Sequence, residues 1–153
     1  MPQPPVVPSP AQVPAPVRRA SDGVPVPVRT VSTPDCERLD VFRVAVEFQS
    51  LAASIGSSRP LGALRDQLDR ASVSIVLNIA EGSGRFAPAE KAHFYLIARG
   101  SAMECLAALS LLHARSLVSP EVHRRSRALL TRIVAMLTRL SAAMQAAASR
   151  NGR

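Results

Sequence analysis

Apolar positions in this 153-residue chain recur at steps of three and four, the spacing of one face of a helix. Leu64, Leu68, Ala71, Ile75, Asn78 and Gly82 form such a seam, which predicts a helix over about Pro60 to Glu81 with Asn78 at a core position. Phe42, Ala45, Val46, Gln49 and Ala52 predict an earlier helix from Asp40, read as its N-cap, to Ile55 before Gly56-Ser-Ser. Phe94, Ile97, Ser101, Glu104, Ala108 and Leu111 predict a third from Pro88 to Ala114. Ser119-Pro120-Glu121 opens a fourth, with Val122, Leu129, Ile133, Met136 and Leu140 on its seam towards Met144. Pro60, Pro88 and Pro120 each stand where a helix begins, because proline suits a first turn and breaks an interior. Short connections between helices of this length force antiparallel neighbours. The fold class predicted is all-α, an up-down-up-down four-helix bundle over residues 37–147, with 148–153 frayed.

Before the bundle, residues 1–36 alternate proline with valine, alanine and serine, as in Val24-Pro-Val-Pro-Val28. Proline at that density removes backbone donors and forbids helix, so the expectation is a disordered, polyproline-like tail.

The second helix carries its own stop. Gly82 can take the left-handed conformation that closes a helix, and Gly84 keeps the next residues permissive, so both are expected to terminate it. Glu81 faces the negative end of the helix dipole, and Arg85 lies close enough to offset that cost. Across the bundle, Asn78 and Glu104 on their seams, with Ser101 and Arg99, are expected to form a buried polar network with Glu81 nearby, since an unpaired buried amide or carboxylate costs several kcal/mol.

Composition narrows the core and the partners. Aromatic content of 3% within 47% hydrophobic residues leaves Leu, Ile, Val and Ala to fill the interior, which suits interlocking helices. The net charge is +8, supplied almost wholly by arginine, and favours anionic partners, although a GC-rich bacterial genome also yields an Arg, Ala and Pro bias. Cys36 and Cys105 have no close-spaced mates, so a reducing compartment is expected. No signal-peptide pattern or membrane-spanning apolar run is read, which places the protein in the cytoplasm without a membrane partner.

Two blocks, Arg70-Ala-Ser-x-Ser-Ile-x-x-Asn78-Ile-Ala-Glu81-Gly-x-Gly84-Arg85 and Phe94-Tyr95 followed by Ala98-Arg99-Gly100-Ser101-Ala-x-Glu104, resemble the four-helix bundle proteins named for the 23S rRNA intervening sequence. The resemblance covers Leu39 to Met144. It implies an antiparallel bundle that assembles as a homo-oligomer, typically a pentameric ring. It also implies kinship with the accessory variability protein of diversity-generating retroelements, which binds nucleic acid and a reverse transcriptase. The chain departs from that family in carrying Phe42 where an aromatic residue, commonly Trp, is usual, and Phe86-Ala-Pro88 where more polar residues are usual.

Reaction chemistry is not legible. Glu90-Lys-Ala-His93 has the spacing of a di-iron ligand pair, but the second copy and the two further glutamates are missing, so no metal is expected. Gly82-Ser83-Gly84 lacks the Lys and Ser/Thr of a phosphate loop, and Ser72, Ser74 and Ser101 lack a histidine base. The expectation is a non-enzyme with no cofactor. Arg125, Arg132 and Arg139 recur every seven residues along the fourth helix, flanked by Arg124 and Arg127. Such a stripe, about 21 Å long, can follow RNA or DNA phosphates; no aromatic residues interleave with it, so the binding expected there is electrostatic. The competing expectation is a structural or protein-interaction scaffold. Arginines neutralised by Glu47, Asp66 or Asp69 favour it; a continuous basic band favours nucleic acid.

Overall fold

The computed structural model describes residues 34–55 and 62–151. A 3-10 turn, Asp35–Arg38, leads into four helices: α1 (Asp40–Ala53), α2 (Gly62–Gly84), α3 (Pro88–Ala114) and α4 (Pro120–Asn151). Each helix packs on its two neighbours, α1 on α2, α2 on α3, α3 on α4 and α4 back on α1. Cross-contacts fix the directions. Gln67 meets Glu104 and Ser74 meets Ser101, while Arg99 meets Thr138 and His113 meets His123, so rising numbers on one helix pair with falling numbers on the next. The all-α four-helix bundle expected from the pattern is the architecture observed.

Its core is aliphatic with small spacers: Ile75, Ile79, Leu109, Leu112, Leu130, Ile133 and Leu137 are fully buried, and Phe48 and Tyr95 are the buried rings. Alanines at 45, 98 and 102, with no exposed surface, let the helices approach closely. Ser72, Ser83, Ser101 and Ser141 donate to carbonyls of their own helix, as Ser72 does to Asp69 at 2.8 Å and Ser83 to Ala80 at 2.7 Å, and so enter the core satisfied, whereas the buried Ser126 Oγ has no partner among the described residues.

The predicted seams of α1, α2 and α3 need correcting. On α1 the buried set is Val41, Val44, Ala45, Phe48 and Ala52, with Val46 exposed. On α2 Ile79 takes the core position assigned to Asn78, which is half-buried. On α3 the core is Tyr95, Ala98, Ser101, Ala102, Cys105, Ala108, Leu109 and Leu112, while Ile97, Glu104 and Leu111 face outward. The cause is that these helices are apolar on more than one side, so several heptad registers fit the same sequence.

Helix ends also differ from expectation. Asp40 is the first helical residue rather than the cap; Leu39 precedes it and makes no side-chain cap bond. α2 continues through Gly82 to Gly84, and no glycine among the described residues has positive φ. Gly82 is therefore not the terminator. A Cβ there would lie 2.8 Å from the Tyr95 ring and 3.1 Å from Phe94 Cβ, so glycine is needed for close approach of α3. Lys91 closes α2 instead, its Nζ donating to the Ser83 carbonyl at 2.9 Å. α3 ends in a Schellman motif: Ser116 N–H donates to His113 O and Leu117 N–H to Leu112 O, both at 2.9 Å, with Ser116 at φ 55° where glycine is usual. α4 runs past Met144 to Asn151, through most of the stretch expected to fray.

The Pro-rich tail lies outside the described residues as far as residue 33, as do Gly56 to Pro60. Against the expectation from hydropathy, α3 is long and apolar enough to cross a membrane by length and composition, with a mean hydropathy of 1.3 over its best window. Its Ala98–Ala102–Cys105–Leu109 face is core of the bundle.

Candidate nucleic-acid interface

α4 starts firmly. Ser119 accepts the Val122 N–H on its side-chain oxygen at 3.2 Å, Pro120 supplies a pre-set first turn and Glu121 faces the positive end of the dipole. Ser126, Leu129, Leu130, Ile133, Leu137 and Ser141 turn into the core, which leaves the opposite face to six arginines and one glutamate. Arg124, Arg125, Arg127, Arg132 and Arg139 are all exposed. Arg125, Arg132 and Arg139 share one edge. Arg125 donates to Glu47 of α1 at 3.2 Å, so this edge borders α1, while Thr138 on the other edge accepts from Arg99 of α3.

The carboxylates divide the stripe. Arg124 pairs with Glu121 within its own helix and Arg125 with Glu47; Arg127, Arg132 and Arg139 have no carboxylate within ion-pair distance among the described residues. Asp66 and Asp69 lie on α2, which packs chiefly on α1 and α3, and pair with none of them. In the Arg125–Glu47 pair the side chains are 60% and 49% exposed, and ion pairs that open to water contribute about 0 to 1 kcal/mol. Such pairs exchange readily for a phosphate oxygen, to which guanidinium donates two parallel bonds.

The expected buried polar network is not one network. Asn78 donates through Nδ2 to the Ser74 carbonyl at 2.8 Å and to Ser74 Oγ at 3.1 Å, and Ser74 Oγ meets Ser101 Oγ at 2.9 Å. Glu104 is exposed and accepts from Gln67 Nε2 at 2.7 Å; Arg99 donates to Thr138 Oγ1 at 3.0 Å. Glu81 pairs with Arg85, as its spacing suggested. Three of these four clusters join neighbouring helices and the fourth, Glu81–Arg85, lies at the end of α2, and neither Asn78 nor Arg99 is hydrogen-bonded to Glu104. Gly84 ends α2 in open space.

Two clusters escaped the sequence reading. His113 and His123 stack at 4.2 Å with an interplanar angle of 6°, and His113 Nδ1 is buried with no hydrogen-bond partner. Their lone pairs lie in parallel ring planes and do not converge on a common point, which is unsuited to chelation, and no metal-ligating group of three or more occurs among the described residues. Burial pulls the His123 pKa below its ordinary value, and the charges of His113 and Arg127 lower it further. The other cluster is at the α2–α3 turn. Arg85 lies with its Cζ 5.0 Å above the Phe94 ring, His93 meets that ring edge-on at 5.6 Å, and Phe86 is 98% exposed. The adjacency of Arg85 and Phe86 before Pro88 was visible in the sequence, but exposure was not.

The sequence model of one protein family, described as 23S rRNA-intervening sequence protein, matches residues 37–139. No curated protein matches the chain.

Proposed function

The chain belongs to the 23S rRNA-intervening sequence protein family, and from that premise we propose that it is a non-enzymatic bundle that binds the phosphate backbone of RNA or DNA through α4. The observation that carries this reading is the exposed arginine face, on which Arg127, Arg132 and Arg139 stand free of carboxylates among the described residues and the two paired arginines are held by solvent-exposed ions. A straight helix spaces Arg125, Arg132 and Arg139 about 10 Å apart, so each reaches a different phosphate. The aqueous protein is proposed to work in the cytoplasm as a homo-oligomer, a five-fold ring by the family resemblance, because Leu96, Ile97, Met103 and Leu111 leave α3 with an apolar outer face.

The test is a titration of structured RNA at two salt concentrations. Binding weakens steeply with salt and varies little with sequence. Replacing Arg125, Arg132 and Arg139 with Gln flattens the log-log slope by up to about 3 per engaged subunit on a duplex, at unchanged helicity. An unaltered slope, or no binding by the unmodified protein at low salt, overturns the proposal. A second reading, an interaction scaffold for a protein such as a reverse transcriptase, is favoured by the Arg125–Glu47 and Arg124–Glu121 pairs and by the apolar α3 face. It stands if that titration fails.

A further inference from the structure

The α4 stripe offers charge without rings, whereas the α2–α3 turn offers rings and a guanidinium plane with little surplus charge. Arg85, Phe86 and Ala87 make the whole connection between the helices. Both flanks of Phe86 are pinned. Arg85 is tied to Glu81 and lies over Phe94, and Ala87 is extended, at φ −75° and ψ 128°, as a residue before proline must be. The Phe86 ring is thus projected from a short, restrained turn into solvent, with 98% of the residue exposed.

On either side of Arg85 lie open hollows of about 700 and 430 Å³, the first floored by Leu77 and Gly84, the second by Ala89, His93 and Phe94. Small residues at 84, 87 and 89 leave access to the ring faces, and among the described residues nothing lies within 4 Å of where a Gly84 Cβ would be. The Phe86 ring makes no contact in the bundle core, so both its faces are open to a partner. Flat π surfaces beside a guanidinium are the elements that hold splayed bases.

We propose that the Arg85–Phe86 turn is a stacking site for an unpaired nucleobase, at a single-stranded end, loop or bulge of the nucleic acid whose backbone α4 holds. The proposal rests on the backbone-binding reading of α4 and adds to it a site for unpaired bases. The arginine stripe starts towards the far end of the bundle, beside the His113–His123 stack, and descends to Arg139, its member nearest the turn. The Arg99–Thr138 bond sets the α3–α4 register, and from that level α3 runs back 11 residues to Pro88, roughly 16 Å. A few extended nucleotides therefore connect Arg139 with Phe86. A ring that stacks discriminates unpaired from paired bases and is tolerant of base identity, because every base has a π face.

The test uses RNA oligonucleotides carrying 2-aminopurine in a single-stranded overhang, with a blunt duplex as reference, followed by anisotropy and fluorescence. The expected result is quenching of 2-aminopurine by the unmodified protein. Phe86→Ala should abolish the quench and weaken the overhang complex on the order of tenfold, with blunt-duplex affinity unchanged. Phe86→Tyr should restore both and Phe86→Leu neither. Duplex binding without quenching, or full rescue by Phe86→Leu, overturns the base site and leaves the α4 reading intact. No binding to either RNA overturns both. A lower light-scattering mass for Phe86→Ala also overturns the base site, since the ring would then be packing against a second copy of the chain.

Discussion

At Gly82 and Gly84 the same residue type serves opposite circumstances. Gly82 is buried against Tyr95, and an added Cβ at 2.8 Å from that ring forces a shift in a packed interface. Gly82→Ala is expected to destabilise the bundle by about 1 to 3 kcal/mol in urea denaturation. Gly84→Ala meets open space at a helical backbone, so it is expected to be neutral or to stabilise by up to about 1 kcal/mol in the same measurement. Cys105 makes a second contrast. Burial, reinforced by the charge of Glu104, pushes its thiol up to about 12, whereas Cys36 is only half-buried. Since the thiolate is the nucleophile, alkylation at pH 8 followed by mass spectrometry is expected to label Cys36 first and Cys105 only after unfolding.

Helix pairs are joined by local polar clusters, and these set which residues act together. Asn78 and Glu104 belong to separate clusters, one through Ser74 to Ser101 and the other through Gln67. A double-mutant cycle of Asn78→Leu and Glu104→Leu is therefore expected to be additive within about 0.5 kcal/mol, whereas Ser74→Ala with Ser101→Ala should show coupling. At the other end of α3, the His113–His123 stack ties the C-terminus of one helix to the N-terminus of the next. Because the His123 pKa is lowered on folding, the unfolded chain takes its proton first. Stability is then lost as pH falls through the ordinary histidine value, about 6.5, towards the lowered native one. Thermal unfolding between pH 7.5 and 5.5 should show a falling midpoint, and His123→Gln should flatten that dependence.

Charge and apolar surface are segregated over the whole bundle. α4 carries six arginines and one glutamate, while the outward face of α3 carries Leu96, Ile97, Met103 and Leu111. A monomer with that second apolar face is a poor end state in water. Light scattering at micromolar concentration is expected to give a multiple of the 16.3 kDa chain mass, and Met103→Glu with Leu111→Glu to lower it without loss of helicity. A monomer mass for the unmodified protein would refute the assembly.

How much of this was legible in the sequence differs by feature. Four helices, the start of α3 at Pro88, the start of α4 at Pro120 and the Glu81–Arg85 pair followed from proline placement, helical spacing and i,i+4 geometry, all of which are local. The arginine spacing on α4 was equally plain, because one strongly polar face leaves a single register open. On α1, α2 and α3 the sequence left the register undecided. Val46, Ile97 and Leu111 are as apolar as the residues beside them, and only packing against specific neighbours put Phe48, Ala98 and Leu112 inside. Once α3 settled with Ala98 inward, Glu104 had to face water and Asn78 lost its expected partner. Gly82 shows the same division: its sequence suggested a stop, but the Tyr95 ring across the interface decided its role. Local free energies along the backbone determined where helices begin and which charges share a helix face. Which apolar face is core, which rings are bare and which carboxylates reach an arginine depend on residues far apart in sequence, and only the folded bundle brings them together.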